Sequence, residues 1–185
     1  IAARWAPGDV MVTGVDFSEA MLREGEKHIR SLGLADGVKL LRGDALALPC
    51  DDSTVDGVIS GFVIRNISDR RGALAEWFRV LRPGGRCVVL ELAMPEPVIA
   101  RLAYRLITSL LVPAAGALLS RHKAYVYLLD SIRAFPPAEI VLALFRDAGF
   151  VDPQSIPLTF GAVRIYRGTK PCMNPTRKTT PMKGI

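Results

Sequence analysis

The sequence predicts an α/β fold in which helices cover both faces of a mostly parallel, doubly wound sheet. Over the first half of the chain, short runs rich in Val, Ile and Leu alternate with segments of helical periodicity. Runs that are apolar almost throughout are typical of strands buried on both faces, and the helices between them provide the crossovers that parallel strands need. Half of the 185 residues are hydrophobic, which suffices for one globular domain, and we place that domain at 1–170.

The elements follow one another in a regular order. Ser18 can N-cap a first helix that runs to about Ser31 and stops at Gly33. Apolar residues spaced i, i+3, i+4, i+7 within Asp69–Leu81 indicate a second helix, and we expect Pro83-Gly84-Gly85 to form the turn that ends it. The predicted strands are Asp9–Val15, Val38–Leu41, Val55–Ser60, Arg86–Leu92, Phe150–Pro157 and Gly161–Arg167, and a further helix lies between Pro136 and Gly149.

A helical insertion interrupts this alternation over about 96–134. From Val98 to Ser120, apolar residues fill one helical face, while Arg101 and Arg105 fall on another. Three roles remain open for the apolar face. It covers a lipid tail or lies on anionic lipid, it caps the core, or it packs against a second copy of the chain in a homo-oligomer.

Charge is distributed unevenly along the chain. Residues 1–97 carry 12 basic and 14 acidic side chains, whereas residues 98–185 carry 12 basic and 4 acidic ones. Excess positive charge favours an anionic partner. Because the sequence has no recognition helix, no zinc-finger spacing and no basic stripe with interleaved aromatics, we expect an anionic membrane surface and no nucleic acid. Residues 171–185 contain three prolines and no periodicity, and we expect a disordered tail there.

The cysteines argue against a disulfide framework and against a metal site. Cys50, Cys87 and Cys172 are odd in number, far apart and without a C-x-x-C pair, so we expect no metal and a reducing compartment, the cytoplasm. The longest nearly apolar run, Leu106 to Leu119, contains Pro113 and is too short to span a bilayer. Any membrane contact is therefore expected to be peripheral, at the inner face of the cell membrane.

Two aspartates mark a candidate nucleoside site. Asp16 directly follows the first predicted strand and Asp44 follows the second. Ligands of open parallel sheets bind at the carboxyl ends of the strands, where a carboxylate can accept hydrogen bonds from the hydroxyls of a ribose. Asp44 and Ala45 can in turn contact an adenine edge. The alternative for both aspartates is a purely local role in a turn or a helix cap.

Several motifs extend this pattern, and they resemble the successive motifs of class I S-adenosylmethionine-dependent methyltransferases. Three others resemble the family that C-methylates polyprenyl quinone precursors, the demethylmenaquinone and 2-methoxy-6-polyprenyl-benzoquinol methyltransferases. The resemblance runs from about Ala2 to Pro171. The motifs of the class are GVDFSEAML (14–22), GDALALP (43–49), DDSTVDGV (51–58), RVLRPGGR (79–86) and VVLELAMP (88–95), and those of the family are FVIRNISDRRGAL (62–74), AYVYLLDSIRAFP (124–136) and GAVRIYRGTKP (161–171).

The resemblance implies a Rossmann-like methyltransferase sheet with an antiparallel last strand, S-adenosylmethionine as cofactor and a reduced polyprenyl quinol as substrate. Such proteins begin their sheet with a strand and a glycine-rich turn that this sequence lacks, so it resembles a family member truncated at the N-terminus. Gly61 stands where relatives often carry a small hydroxyl residue. The implied site residues are Asp16, Phe17, Asp44, Ala45 and Gly61 for the cofactor, Arg65 and Asn66 for catalysis, and His122, Tyr125 and Tyr127 for the substrate.

Arg65 and Asn66 lie just beyond the third predicted strand. From there they can orient a quinol oxygen or stabilise its anion, directly or through water. The alternative for Arg65 is a surface arginine paired with Asp69, four residues on. For Tyr125 and Tyr127 it is one core and one surface position, and for His122 it is a polar residue at a helix junction.

Two other functions remain open at this level. One is a methyltransferase of the same class that acts on a different lipid or small molecule. The other is a lipid- or quinone-binding protein without catalysis, because the glycine-rich turn that contacts the cofactor is not found in this sequence.

Overall fold

A computed structural model of the protein describes residues 10–95, 97–99, 101, 102, 104, 106 and 122–172, with only the backbone at 122–125. The chain alternates strands and helices, with a 3-10 turn at Ile64–Asn66. The strands are β1 (Val12–Asp16), β2 (Val38–Arg42), β3 (Val55–Gly61), β4 (Leu81–Leu92), β5 (Val151–Leu158) and β6 (Val163–Thr169). The helices are α1 (Glu19–Ser31), α2 (Arg70–Val80), α3 (His122–Ala134) and α4 (Ala138–Asp147).

The strands form two hydrogen-bonded sets. β1 and β2 are parallel, with Val12 opposite Val38 and Asp16 opposite Arg42. The other set has the order β3-β4-β6-β5, in which β3 and β4 are parallel and β6 is antiparallel to both of its neighbours. The expected mostly parallel sheet with an antiparallel last strand is thus confirmed. Within the described residues, β1 pairs only with β2, and β3 pairs only with β4.

The first two helices begin at the capping residues that the sequence provides. The Ser18 hydroxyl accepts a hydrogen bond from the Met21 amide at the start of α1, and Gly33, with φ of 67°, follows the end of that helix. The Asp69 carboxylate accepts one from the Gly72 amide at the start of α2. Asp69 is therefore a cap.

The predicted turn at Pro83-Gly84-Gly85 is wrong. α2 ends at Val80, and these residues belong to β4. The Gly84 amide donates to the Lys170 carbonyl, and the Lys170 amide donates to the Gly85 carbonyl. Pairing with Lys170, the residue after β6, satisfies backbone groups of Gly84 and Gly85 within a strand rather than in a turn that ends the helix. The chain bends at Gly84, whose φ is 83°.

The core lies between the four-stranded sheet and helices α2 and α4. On β4 the buried side chains alternate, so that one face of the strand points into the core. In contrast, β1, β2 and α1 contain no fully buried residue. The core includes Ile64, Leu74, Trp77, Leu81, Cys87, Val89, Val141, Phe145, Phe150 and Tyr166.

The helical insertion is described only in part. The described residues from 98 to 106 have helical backbone, and Val98, Ile99 and Leu102 are 69 to 84% exposed. Residues 107–120 of the predicted helix Val98–Ser120 lie outside the described residues, as do residues 173–185 of the expected tail. The second helix of the insertion is α3.

Candidate active site

The structure brings the two predicted nucleoside-binding aspartates to neighbouring strand ends. β1 ends at Asp16 beside Arg42, the last residue of the parallel strand β2. The Gly43 amide donates to the Asp16 carbonyl at 3.1 Å, and Asp44 follows directly. Both carboxylates therefore follow the carboxyl ends of adjacent parallel strands, which is where such sheets bind ligands.

Each carboxylate also makes one local bond. Asp16 Oδ1 accepts from the Ser18 amide at 2.8 Å, and Asp44 Oδ1 accepts from the Leu46 amide at 2.9 Å. Both aspartates thus also make the local turn contacts that the sequence offered as their alternative role. Within the described residues the second oxygen of each carboxylate makes no hydrogen bond, so each retains an acceptor for a ligand hydroxyl or amine.

The three other predicted cofactor residues lie at the same ends of strands. The Phe17 side chain, next to Asp16, is 77% exposed. The Ala45 carbonyl accepts a hydrogen bond from the buried indole of Trp77 at 3.1 Å. Gly61 ends β3, and a Cβ there would have no atom within 4 Å, so the space beside its backbone is open.

A helix residue braces the segment that follows Asp44. The Glu76 carboxylate on α2 accepts from the Leu48 amide at 2.7 Å and from Arg79 at 2.7 Å. The hydrogen bond from Arg79 lowers the pKa of Glu76 most, the Leu48 amide adds to the lowering, and partial burial opposes it. The ionised Glu76 carboxylate and the Trp77 indole therefore hold residues 45–48 against α2.

Arg65 has a different partner from the one that sequence reasoning offered as the alternative. Its Nη1 lies 2.6 Å from Glu91 Oε1, while Asp69 caps α2. The Glu91 side chain is completely buried and that of Arg65 is 10% exposed. Arg65 is therefore no surface arginine, and its guanidinium is turned to a buried carboxylate on β4.

Asn66 and Tyr127 meet across the site. The Tyr127 hydroxyl donates to Asn66 Oδ1 at 3.2 Å and so links α3 to the turn after β3. Both side chains are exposed, Tyr127 by 60%. Because Oδ1 accepts this bond, the amide N–H groups of Asn66 remain as donors, and within the described residues they have no acceptor. Tyr125 and His122 belong to α3, but their side chains lie outside the described residues.

Two buried polar atoms near the end of β3 have no hydrogen-bond partner in the described structure. They are Ser60 Oγ and Arg65 Nε. Buried polar groups are nearly always satisfied, so each of these atoms can bond a water molecule or a ligand.

Sequence reasoning missed Glu91, Glu76 and Trp77. Glu91 had a visible signal, because it is the only charged residue in the apolar run Cys87–Leu92. A carboxylate in such a strand must have a partner if it is buried. Glu76 and Trp77 gave no comparable signal, since both fit an ordinary amphipathic helix.

The fold and this set of residues define a class of protein. Two parallel strand ends that each present a carboxylate, with open space beside Gly61, fit the nucleoside part of S-adenosylmethionine. Among solved structures, a SAM-dependent methyltransferase from Thermotoga maritima has the same fold, with a TM-score of 0.59 and 23% identity, over 85% of this chain and 72% of that one. Because the ubiE/COQ5 methyltransferase family model also matches residues 3–170, the protein is a class I S-adenosylmethionine-dependent methyltransferase.

The chain belongs to the ubiE/COQ5 methyltransferase family, whose model matches residues 3–170. It is 39% identical over 160 residues to the demethylmenaquinone methyltransferase of Geobacillus kaustophilus, covering 86% of this chain and 68% of that protein. It is 38% identical over 168 residues to the ubiquinone/menaquinone biosynthesis C-methyltransferase UbiE of Geobacter sulfurreducens, covering 91% of this chain and 66% of that protein. The chain thus spans about two thirds of the length of these relatives.

Within the described residues, no helix has both the length and the apolar character that a membrane crossing requires.

Proposed function

We propose that the protein C-methylates a polyprenylated quinol, either demethylmenaquinol or the benzoquinol of the ubiquinone pathway, with S-adenosylmethionine as the methyl donor. The names of the similar proteins support this substrate class. The observation that carries the proposal is the Tyr127–Asn66 hydrogen bond, because it places an exposed aromatic ring beside free amide donors at the carboxyl end of the sheet. An aromatic substrate with a ring oxygen can pack on the Tyr127 ring and accept a hydrogen bond from the Asn66 amide.

The chain's own residues would hold the cofactor by its nucleoside. The free oxygens of Asp16 and Asp44 would accept from the ribose hydroxyls and the adenine edge, and Gly61, at the end of β3, would offer its backbone. S-adenosylmethionine, when bound, supplies a methyl group that is already electrophilic. The protein therefore contributes mainly alignment and charge stabilisation.

Asn66 is the residue that we assign to the quinol oxygen. Its side-chain N–H donates to that oxygen and stabilises the anion that forms when the hydroxyl loses its proton. Tyr127 fixes the orientation of the amide by donating to Oδ1, and its ring packs on the quinol. Tyr125 and His122, on the same helix, would complete the substrate side. Proton removal falls to water, because a guanidinium donates hydrogen bonds but offers no acceptor for a proton.

Turnover of demethylmenaquinol and of 2-methoxy-6-polyprenyl-benzoquinol by the full-length protein tests the proposal. We expect methylation of at least one of them, and about a ten-fold or greater loss of kcat in Asn66→Ala, from a lost transition-state hydrogen bond. Asp36→Asn, an exposed change at the opposite end of β2, should leave turnover unchanged. Cofactor binding without turnover of either quinol would point to another lipid or small molecule, and failure to bind S-adenosylmethionine would point to a protein without catalysis.

We also propose peripheral contact with anionic lipid through the apolar face of the insertion. Val98, Ile99 and Leu102 are exposed on the helical segment, and residues 98–185 carry the excess positive charge of the chain. Flotation with anionic liposomes at low salt should recover the protein, and Ile99→Ser should recover less than the exposed control Ile140→Ser on α4. Equal flotation of both variants would contradict this contact, and a dimer lost only in Ile99→Ser would assign the face to a homo-oligomer.

A further inference from the structure

We propose that Glu91 is a positioning residue that clamps Arg65, and that Arg65 serves the reaction through this clamp rather than by contact with the quinol. The inference rests on the proposed function, because the residue that the clamp positions is Asn66. It assigns a role to a side chain that sequence reasoning did not select.

Glu91 accepts three hydrogen bonds, two of which hold the turn after β3. Its Oε2 accepts from the Arg65 amide at 3.2 Å, and its Oε1 accepts from Arg65 Nη1 at 2.6 Å and from the Leu92 amide at 2.8 Å. Two of these bonds go to one residue, one to its backbone and one to its side chain. A single carboxylate therefore fixes both the path of the chain and the direction of the guanidinium.

Two further hydrogen bonds of Arg65 close the turn around it. Nη1 also donates to the Phe62 carbonyl at 2.8 Å, and the Arg65 carbonyl accepts from Arg70 Nη2 at 3.0 Å. The next amide, that of Asn66, donates to the Val63 carbonyl at 2.9 Å. The peptide that joins Arg65 to Asn66 is thus held at both its carbonyl and its amide, and Glu91 is the buried anchor.

The charges of Arg65 and Glu91 also support a positioning role. A guanidinium 2.6 Å from a buried carboxylate is largely neutralised, so it presents little net positive field to a quinol anion farther away. Arg164 lies opposite Glu91 in the β4–β6 register, is 5% exposed and donates to the Ser155 hydroxyl. Without the Glu91 charge, the buried guanidinium of Arg65 would lose its carboxylate partner, and the turn would have to move.

The test compares three variants of the full-length protein in quinol methylation. Glu91→Gln keeps one acceptor oxygen but loses both the charge and the acceptor for the Arg65 amide. We expect kcat to fall by about ten-fold to a hundred-fold, while the KM and Kd for S-adenosylmethionine change by less than about two-fold. The matched control is Asp56→Asn, which removes the carboxylate of an exposed arginine pair at the other end of β3 and should change none of these values.

The double variant Arg65→Met with Glu91→Gln separates positioning from direct charge stabilisation. The clamp is already broken in Glu91→Gln, so we expect the double variant to have a kcat within about two-fold of that of Glu91→Gln. A further fall in kcat of about ten-fold or more in the double variant would show that the guanidinium itself acts on the substrate and would overturn the proposal. Unchanged kcat in Glu91→Gln would overturn it as well, and so would a parallel loss of cofactor affinity, which indicates a general structural defect.

A measurement made without substrate tests the contact between Glu91 and Arg65 independently of the proposed function. In NMR spectra, the buried Arg65 Nε–H should exchange slowly with water in the wild-type protein and rapidly in Glu91→Gln. If the wild-type protein binds S-adenosylmethionine but methylates no polyprenyl quinol, the proposed function fails, whereas this difference still supports the clamp. Equal exchange in the two proteins would refute the clamp whatever the substrate.

Discussion

Two arginine–carboxylate pairs of nearly equal length lie at opposite ends of the sheet. Arg65 and Glu91 are 2.6 Å apart with side chains 10% and 0% exposed, whereas Arg82 and Asp56 are 2.7 Å apart with side chains 54% and 86% exposed. An exposed pair typically contributes less than about 1 kcal/mol, but breaking a buried pair costs about 3 to 5 kcal/mol. The burial of the two side chains, rather than the N···O distance between them, therefore decides which pair constrains the site.

The free carboxylate oxygens of Asp16 and Asp44 lead to a prediction about cofactor affinity. Asp16→Asn and Asp44→Asn should each weaken S-adenosylmethionine binding by about ten-fold or more, because a hydrogen bond to a charged group is lost. Isothermal titration calorimetry measures the effect. Asp36→Asn makes the same change at an exposed position at the opposite end of β2 and should bind normally. Equal affinity in all three variants would contradict the nucleoside site.

The cysteines lead to a second prediction, which concerns thiol reactivity. Burial raises the pKa of the Cys87 thiol to about 12, whereas Cys172 is exposed and Cys50 is half-buried. Because the thiolate is the reactive form, iodoacetamide at pH 8 should alkylate Cys172 first and leave Cys87 unmodified until the protein unfolds. Peptide mass mapping after timed labelling gives the order. Early labelling of Cys87 in the folded protein would contradict its placement in the core.

Among the elements, α2 connects the core to the cofactor end of β2. Its inner face contributes Leu74 and Trp77 to the core. The same helix bonds the segment after Asp44, through the Trp77 indole and the Glu76 carboxylate. The position of that segment therefore depends on the packing of α2.

Glu76→Gln should destabilise the protein in a pH-dependent way. The pKa of Glu76 is lowered in the folded state, so its ionised form adds stability above its ordinary value of 4.5, and that stability disappears as the pH falls through the lowered value. At pH 7 we expect a loss of about 1 kcal/mol, which shrinks towards zero in acid. Urea unfolding at pH 7 and at pH 3.5 measures both losses. An equal loss at the two pH values would show that the charge is not responsible.

Most elements could be predicted from the sequence, because a buried parallel strand and an amphipathic helix each have a local signature. The strand end at Asp16 and the cap at Ser18 followed from such signatures. The beginning of β4 did not, because pairing of Gly84 and Gly85 with Lys170 depends on a residue more than 80 positions away. The partner of Arg65 was missed for the same reason, since Glu91 lies on the next strand.

At the scale of the whole molecule, burial is concentrated on one side. All fully buried apolar residues of the described chain lie in the part after β2, whereas β1, β2 and α1 contribute none. Local opening is easiest where few apolar contacts must be broken. Asp16, at the end of β1, and Asp44, just after β2, thus lie in the part of the described chain that contributes least to the core.

This uneven core predicts two levels of hydrogen exchange. Amides of β1, β2 and α1 should exchange through openings about 1 to 3 kcal/mol less costly than those of β3, β4 and β6. Added S-adenosylmethionine should slow exchange mainly in the first group, because a ligand stabilises the states that bind it. Exchange detected by mass spectrometry at peptide resolution provides the test. Uniform protection across the chain, with or without the ligand, would disagree with this arrangement.

The bond between the Trp77 indole and the Ala45 carbonyl has a practical consequence. A tryptophan that is 3% exposed lies one hydrogen bond away from the residue proposed to touch adenine. Indole emission responds to changes in polarity and hydrogen bonding around the ring. Intrinsic fluorescence can thus follow occupation of the nucleoside end by titration, without a dye, a radiolabel or turnover of a lipid.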